Sequence, residues 1–422
     1  MMKYNENEIK EGIKLHTIKT DKFKTNLVAV FLTTRLNREN VTKNALISMI
    51  LRRGSKSMNS QEDISKKMEE MYGASFDCGL DKTGDNQVLK FYIESINDNF
   101  LPKEGENLLN KSIKNLIEII FNPYLENEYF KKEYVEQEKN NIKQRIKGKI
   151  DNKARFAMDR CIEEMYKDKP FGLYKFGYIE DLSKINEKNL YEYYKELINS
   201  CKIDIFVSGN IEEVIDIVKK DENIEKLQER NADYVVPTLE KKQEEQEKIV
   251  TESMDVTQGK LLLGLDVNID DEKLKYGTLI YNSILGGSAN SKMFQNVREK
   301  AHLAYVASSN YLRYKSNIFV NCGIDIGNYQ KALELVRKQI DDMKKGDFSE
   351  KDIDDAKAGI IANVKAISDE QDTELTYYFA QELSGNKTSI EEYIKIILQV
   401  SREDIINIAN KIFINTIYFL RD

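Results

Sequence analysis

An arginine and a tyrosine seven residues apart, Arg298 and Tyr305, stand in the stretch MFQNVREKAHLAYVASSNY at residues 293–311. A guanidinium presents a fork of donors that suits carbonyl and carboxylate oxygens. A tyrosine hydroxyl can donate to an oxyanion as it develops. The pattern reads as a helix running into a strand, which would hold both groups on rigid elements. Phe294, Val297 and Ala301 are expected on the helix's buried side, with Arg298 at its edge. The same residues also have a plain structural use, since arginine complements the dipole at a helix C-terminus and tyrosine is frequent in strands.

The rest of the chain is poor in catalysts. Its two histidines, His16 and His302, are far apart and belong to no HExxH motif. His302, placed after a helix, reads as a surface or capping residue. Cys78, Cys161, Cys201 and Cys322 are scattered without a CxxC pair, as expected of a reduced, cytoplasmic protein. There is no GxSxG motif and no cysteine–histidine pair close in sequence.

The elements that must position Arg298 and Tyr305 occur twice. TNLVAVFLTTRL and GKLLLGLDVNI alternate or run apolar like strands. Each is followed by an amphipathic helix ending at glycine, VTKNALISMILRRG and DEKLKYGTLIYNSILGG, where glycine would serve as a C-cap. Paired strands and two helices come next in each half. The closing units, INEKNLYEYYKELINSCKIDIFVSGN and VSREDIINIANKIFINTIYFLRD, place Asn186 and Ser401 as helix N-caps before a strand. The pattern predicts an α+β protein of two tandem similar domains, each an antiparallel sheet flanked by helices. Residues 1–220 would form the first, 221–248 a charged linker, and 249–422 the second.

At 422 residues the chain exceeds a single ordinary core. Charged residues at 32% indicate a heavily solvated surface, and a net charge of −7, with lysine interleaved among glutamates, argues against nucleic acid as a partner. No apolar run approaches the ~20 residues of a membrane helix, and the first residues lack the apolar core of a secretory signal. QRIKGKIDNKAR groups Arg145, Lys147, Lys149, Lys153 and Arg155; it could attract acidic peptide segments or be a solvated helix end.

GGSANSKMFQNVREKAHLAYVASSNY resembles the C-terminal-domain signature of the pitrilysin/insulinase-type metallopeptidases, the inverted zincins that include the mitochondrial processing peptidase. RRGSKSMNSQEDISKKMEEMYGASFDCGL, FNPYLENEYFKKEYVEQEKNNIKQRI, KPFGLYKFGYIEDLSKIN and IDIFVSGNI agree, so the resemblance covers nearly the whole chain. It implies a LuxS/MPP-like metallohydrolase fold. Active members hold zinc with an HxxEH motif on the first helix and a glutamate from a later one. Anchored on Arg53-Gly54-Ser55, those positions here read ALISM: Ala45 and Met49 replace the histidines and Ser48 the general base. Glu138 matches the first acidic residue of the later helix, and Arg145 occupies the ligand position. No catalytic residue, metal or cofactor is therefore expected. Leu46, Ile47, Ile50 and Leu51 would form an apolar stripe with Met49 as filler.

In active relatives an arginine and tyrosine with this spacing hold the substrate backbone opposite the zinc. The resemblance thus implies a non-catalytic subunit, with Arg298 and Tyr305 binding an extended peptide in trans to an HxxEH-bearing paralogue in a heterodimer. The alternative is a stand-alone peptide-binding or scaffold protein. Relatives of this non-catalytic type are associated with modification of translation elongation factor P or with maturation of peptide antibiotics, and the residues do not choose between them.

Overall fold

The repeated order of elements builds two sheets with one topology. The computed structural model describes residues 4–101, 105–209, 211, 213–236 and 246–422. The first sheet contains β1 (Tyr4–Lys10), β2 (Ile13–Lys19), β3 (Thr25–Arg35), β4 (Ser75–Thr83), β5 (Asn86–Ile96) and β6 (Lys202–Gly209), in the spatial order β1-β2-β6-β3-β5-β4. The second contains β7 (Lys248–Ser253), β8 (Gly259–Val267), β9 (Ala304–Leu312), β10 (Asn317–Ile324) and β11 (Ile412–Arg421), in the order β9-β10-β8-β11-β7. Read from β7, the second sheet repeats β2-β6-β3-β5-β4 strand for strand. Both are antiparallel except for one parallel pair each, β2 with β6 and β7 with β11. The hairpin β1–β2 at the chain's start was not expected from its polar, charged sequence.

In the first unit, β3 is buried along nine consecutive residues, so it reads as a continuous apolar run. Val28, Val30 and Leu32 face a core shared with α1 (Val41–Ile50), α3 (Leu108–Phe121) and the helix Glu187–Ser200. The helices Gln61–Glu70 (α2) and Lys132–Lys147 (α4) complete that layer. The other face is covered by the helix Gln371–Ser384: Phe379 packs edge-on against Phe31, and Tyr378 stacks on Tyr4 at 4.0 Å. Gln371 donates from Nε2 to the Ser208 hydroxyl at 3.2 Å.

In the second unit the helix Lys153–Met165 covers the sheet, burying Phe156, Cys161 and Ile162 with Leu262, Phe319 and Tyr418. Arg160 is held by Glu163, Glu164 and Glu252.

The units therefore do not follow contiguous boundaries. Gly148–Gly172 belongs with the second unit and Glu370–Ala380 with the first. The charged stretch after residue 220 is also not uniform: Glu222–Lys226 is helical, Ile224 is fully buried in the first unit, and Arg230 bonds backbone carbonyls there. Residues 237–245 of the expected linker lie outside the described residues.

Asn186 and Ser401 both form reciprocal capping boxes, with Asn189 and Asp404 as partners. Gly54 is the C-cap of the 3-10 turn Leu51–Arg53 that extends α1, whereas in the second half the cap falls on Ser288 rather than on a glycine. Gly54 has extended backbone, and a Cβ there would lie 2.8 Å from the Met58 carbonyl oxygen. At Gly286 a Cβ would meet the Ser309 amide nitrogen at 2.5 Å, so glycine lets this segment lie against β9.

Candidate functional site

The helix α1 carries Ala45, Ser48 and Met49, the positions that the family resemblance aligns with a zinc motif. It is buried almost all round rather than along one stripe: nine of its ten residues are buried, including Ala45, Ser48 and Met49. Such burial marks a helix inside a core rather than on its edge. Ser48 donates its hydroxyl to the Ala45 carbonyl at 2.8 Å. Asn44 donates to Gln87 at 2.9 Å and accepts from the Tyr193 hydroxyl at 2.8 Å. The polar atoms of α1 are thus committed to internal bonds, and the Ala45 methyl offers no lone pair. These residues do not fit a zinc ion.

Beside α1 lies α4, with the other two positions. Glu138 is buried and accepts from Arg53 Nε at 2.5 Å and from Asn141 Nδ2 at 3.0 Å. Its carboxylate ties the end of α1 to α4. Arg145 is exposed, with its guanidinium 5.5 Å from the Phe176 ring centroid. Cys78, half-buried on β4, is close by. Burial pushes its thiol up to about 11, Arg52 and Arg145 oppose that shift, and Asp77 and Glu138 reinforce it. Among the described residues no group of three or more His, Cys, Asp or Glu side chains is placed to hold a metal ion.

Arg298 and Tyr305 lie in the second unit. The segment Met293–Lys300 is a π-helix, closed by the Ala301 amide donating to the Asn296 carbonyl at 3.2 Å. This wider winding changes the expected face: Met293 and Val297 are buried, Phe294 is partly buried, and Ala301 is exposed. Arg298 lies over the Phe294 ring at 4.5 Å, and its side chain is 43% exposed with Glu299 at 3.5 Å. His302 follows with φ 52°, exposed, at the helix end. Tyr305 sits in a bulge of the edge strand β9, where the register slips between Ala304 and Val306. The bulge turns consecutive side chains outward, leaving Tyr305 65% and Val306 49% exposed. No hydrogen bond or ring contact joins Arg298 to Tyr305; each is held by its own element.

Comparison with known proteins gives the family. The chain is 35% identical to the probable inactive metalloprotease YmfF of Bacillus subtilis, over 98% of each protein. Residues 184–360 match the Peptidase M16 inactive domain. The chain belongs to the M16 peptidase family. It is a non-catalytic homologue within that family. A conserved protein from Enterococcus faecalis superposes with a TM-score of 0.90 at 27% identity, covering 100% of this chain and 99% of that one. An M16 inactive-domain structure from Pseudomonas fluorescens shares the fold, with a TM-score of 0.80 at 16% identity and coverage of 100% and 98%.

Two features of this M16 homologue escaped the sequence reading. The doublet Arg52-Arg53 beside the replaced metal positions was a visible signal, but its partner Glu138 lies 85 residues on. The second is a buried chain on the first sheet. Tyr4 donates to His16 Nδ1 at 2.8 Å, and His16 Nε2 donates to Asp204 at 3.0 Å. Lys202 also donates to Asp204. Burial alone would raise the Asp204 carboxyl. The Lys202 charge and the bonds from His16 and Lys202 outweigh it and hold the group below the usual carboxylate range.

Proposed function

We propose that this chain is the non-catalytic subunit of a heterodimeric, cytoplasmic peptide-processing assembly. Its partner would be an HxxEH-bearing relative that supplies the zinc, while Arg298 and Tyr305 hold the backbone of an extended peptide substrate in trans. The observation that carries the reading is the contrast in exposure. Ala45, Ser48 and Met49 on α1 are sealed into a core, whereas Arg298 and Tyr305 stay accessible on neighbouring elements, with donors suited to a peptide carbonyl or oxyanion. Bacillus subtilis supplies a parallel. Besides YmfF, it has an uncharacterised zinc protease, YmxG, that is 23% identical to this chain over 67% of the chain and 69% of that protein. All four cysteines are free thiols and three are buried, in keeping with a reducing compartment.

Co-expression with an HxxEH-bearing relative tests the proposal. The expected result is a 1:1 complex whose peptidase activity exceeds that of the relative alone. Full activity of the relative by itself, with no complex formed, would refute it and favour a stand-alone peptide-binding protein. Neither elongation factor P modification nor peptide-antibiotic maturation is favoured by any residue described above.

A further inference from the structure

We propose that β7, the outer strand of the second sheet, is a docking edge for a second copy of this chain, which adds its own β7 antiparallel about a two-fold axis. This goes beyond the peptide-binding reading above and does not rest on it.

The two sheets differ at one end. In the first, the outer side of β2 is paired with β1, and five of the seven β2 residues are buried. In the second, β7 takes the place of β2, parallel to β11 as β2 is to β6. Among the described residues no strand takes the place of β1 beside it. Residues along β7 alternate between partly buried and exposed, and Ile249 is 60% exposed. The other ends of the sheets do not differ in this way, since β4 and β9 are both outermost there. β1 and β9 also carry register shifts, which blunt an edge, whereas β7 runs along β11 without one. The strand that closes this edge in the first repeat is polar, YNENEIK, so its counterpart need not be apolar.

The direction of the backbone identifies the free groups. Met254 donates its amide to the Arg421 carbonyl at 2.8 Å, so the even-numbered residues of β7 turn towards β11. Ile249, Thr251 and Ser253 therefore direct their N–H and C=O groups away from the sheet. A row of unpaired donors and acceptors on a regular strand is a template for another strand.

The sequence KIVTES favours its own copy as the occupant. With Val250 on the two-fold axis, Ile249 and Thr251 of each copy exchange backbone bonds with Thr251 and Ile249 of the other. Lys248 then stands opposite Glu252 at both ends, and Val250 opposite Val250. Moving the axis to Thr251 would instead set Lys248 against Met254 and Val250 against Glu252. Lys248 and Glu252 pair with Glu164 and Arg160 and still remain 40% and 32% exposed. The helix Lys153–Met165 that carries those partners packs on β8 and β11, inboard of the edge.

Sedimentation equilibrium of the full chain over a concentration series should give a mass rising towards twice that of the monomer, because so short an edge makes a weak dimer. Thr251→Pro removes an outward N–H and no bond to β11, and should hold the chain monomeric with its circular dichroism spectrum kept. Val250→Cys, in a Cys78→Ser background, should form an intermolecular disulfide on mild oxidation, since facing residues of a non-hydrogen-bonded pair lie about 4.5 Å apart. Ile249→Cys in the same background, two residues out of register with its own counterpart, should cross-link at least tenfold less. A chain that stays monomeric at every concentration, a dimer that tolerates Thr251→Pro, or a dimer whose Val250→Cys form does not cross-link overturns the inference. Loss of the 1:1 complex with the HxxEH-bearing relative in Thr251→Pro, with the chain alone monomeric, would assign the edge to that partner and overturn it as well.

Discussion

The helix α1 and the Arg298–Tyr305 segment stand in different halves of the duplication, at successive rather than equivalent places: α1 corresponds to Glu272–Asn282, and the Arg298–Tyr305 segment to α2 and β4. On α1, small and apolar side chains dominate and the helix is packed on nearly every side. In the second half, a π-helix and a bulged edge strand keep two polar, ring-bearing or guanidinium groups in solvent. Irregular backbone of this kind re-aims side chains at the expense of regular hydrogen bonding, and it is enriched at functional sites.

The sharpest way to break this comparison is to remove the exposed pair. Arg298→Ala or Tyr305→Phe should lower peptidase turnover of the reconstituted complex about 100-fold, the usual loss of an oxyanion donor. The same variants should shift the unfolding free energy by no more than ~0.5 kcal/mol, because both side chains are largely exposed. Denaturant unfolding and initial rates on one preparation test both halves of the statement.

The reverse is expected on α1. Reinstating a histidine by Ala45→His forces an imidazole into a fully buried site and should destabilise the chain by about 2–3 kcal/mol, read from the urea midpoint. Glu138→Gln should lose about 2 kcal/mol by leaving Arg53 unpaired in a partly buried position, with no effect on affinity for a neutral peptide. If either change proves silent, the positions are not serving the core.

Acid sharpens the contrast further. The Asp204 carboxyl is held low in the folded chain, so its contribution is complete above the ordinary aspartate value of about 3.9. It is lost as pH falls through the lower folded value. Asp204→Asn should therefore be less stable than the parent at pH 7 and should lose less stability than the parent below about pH 4. The smallest effects compare the repeats directly: Asn186→Ala and Ser401→Ala should each destabilise by about 1 kcal/mol through loss of equivalent capping boxes.

Much of this was legible in the sequence because it depends on local rules. The strands Thr25–Arg35 and Gly259–Val267 and the N-caps Asn186 and Ser401 follow from residue type and short spacing. The exchanged segments were not legible. The helices Lys153–Met165 and Gln371–Ser384 carry an apolar face, but an apolar face does not say which of two similar sheets it will cover. Likewise His16 meets Asp204 only because β2 lies beside β6, 188 residues apart in the chain. The π-winding of Met293–Lys300 left no mark that a helical stripe could reveal, which is why Ala301 was expected inside and is found outside.

The most direct test of the central claim is the zinc content of the chain purified alone, set against that of the reconstituted complex. The expected result is no stoichiometric zinc in the isolated chain and one zinc per complex, removed by substituting the partner's HxxEH histidines. One tightly bound zinc per isolated chain would contradict the claim that α1 and α4 now serve packing and charge rather than metal.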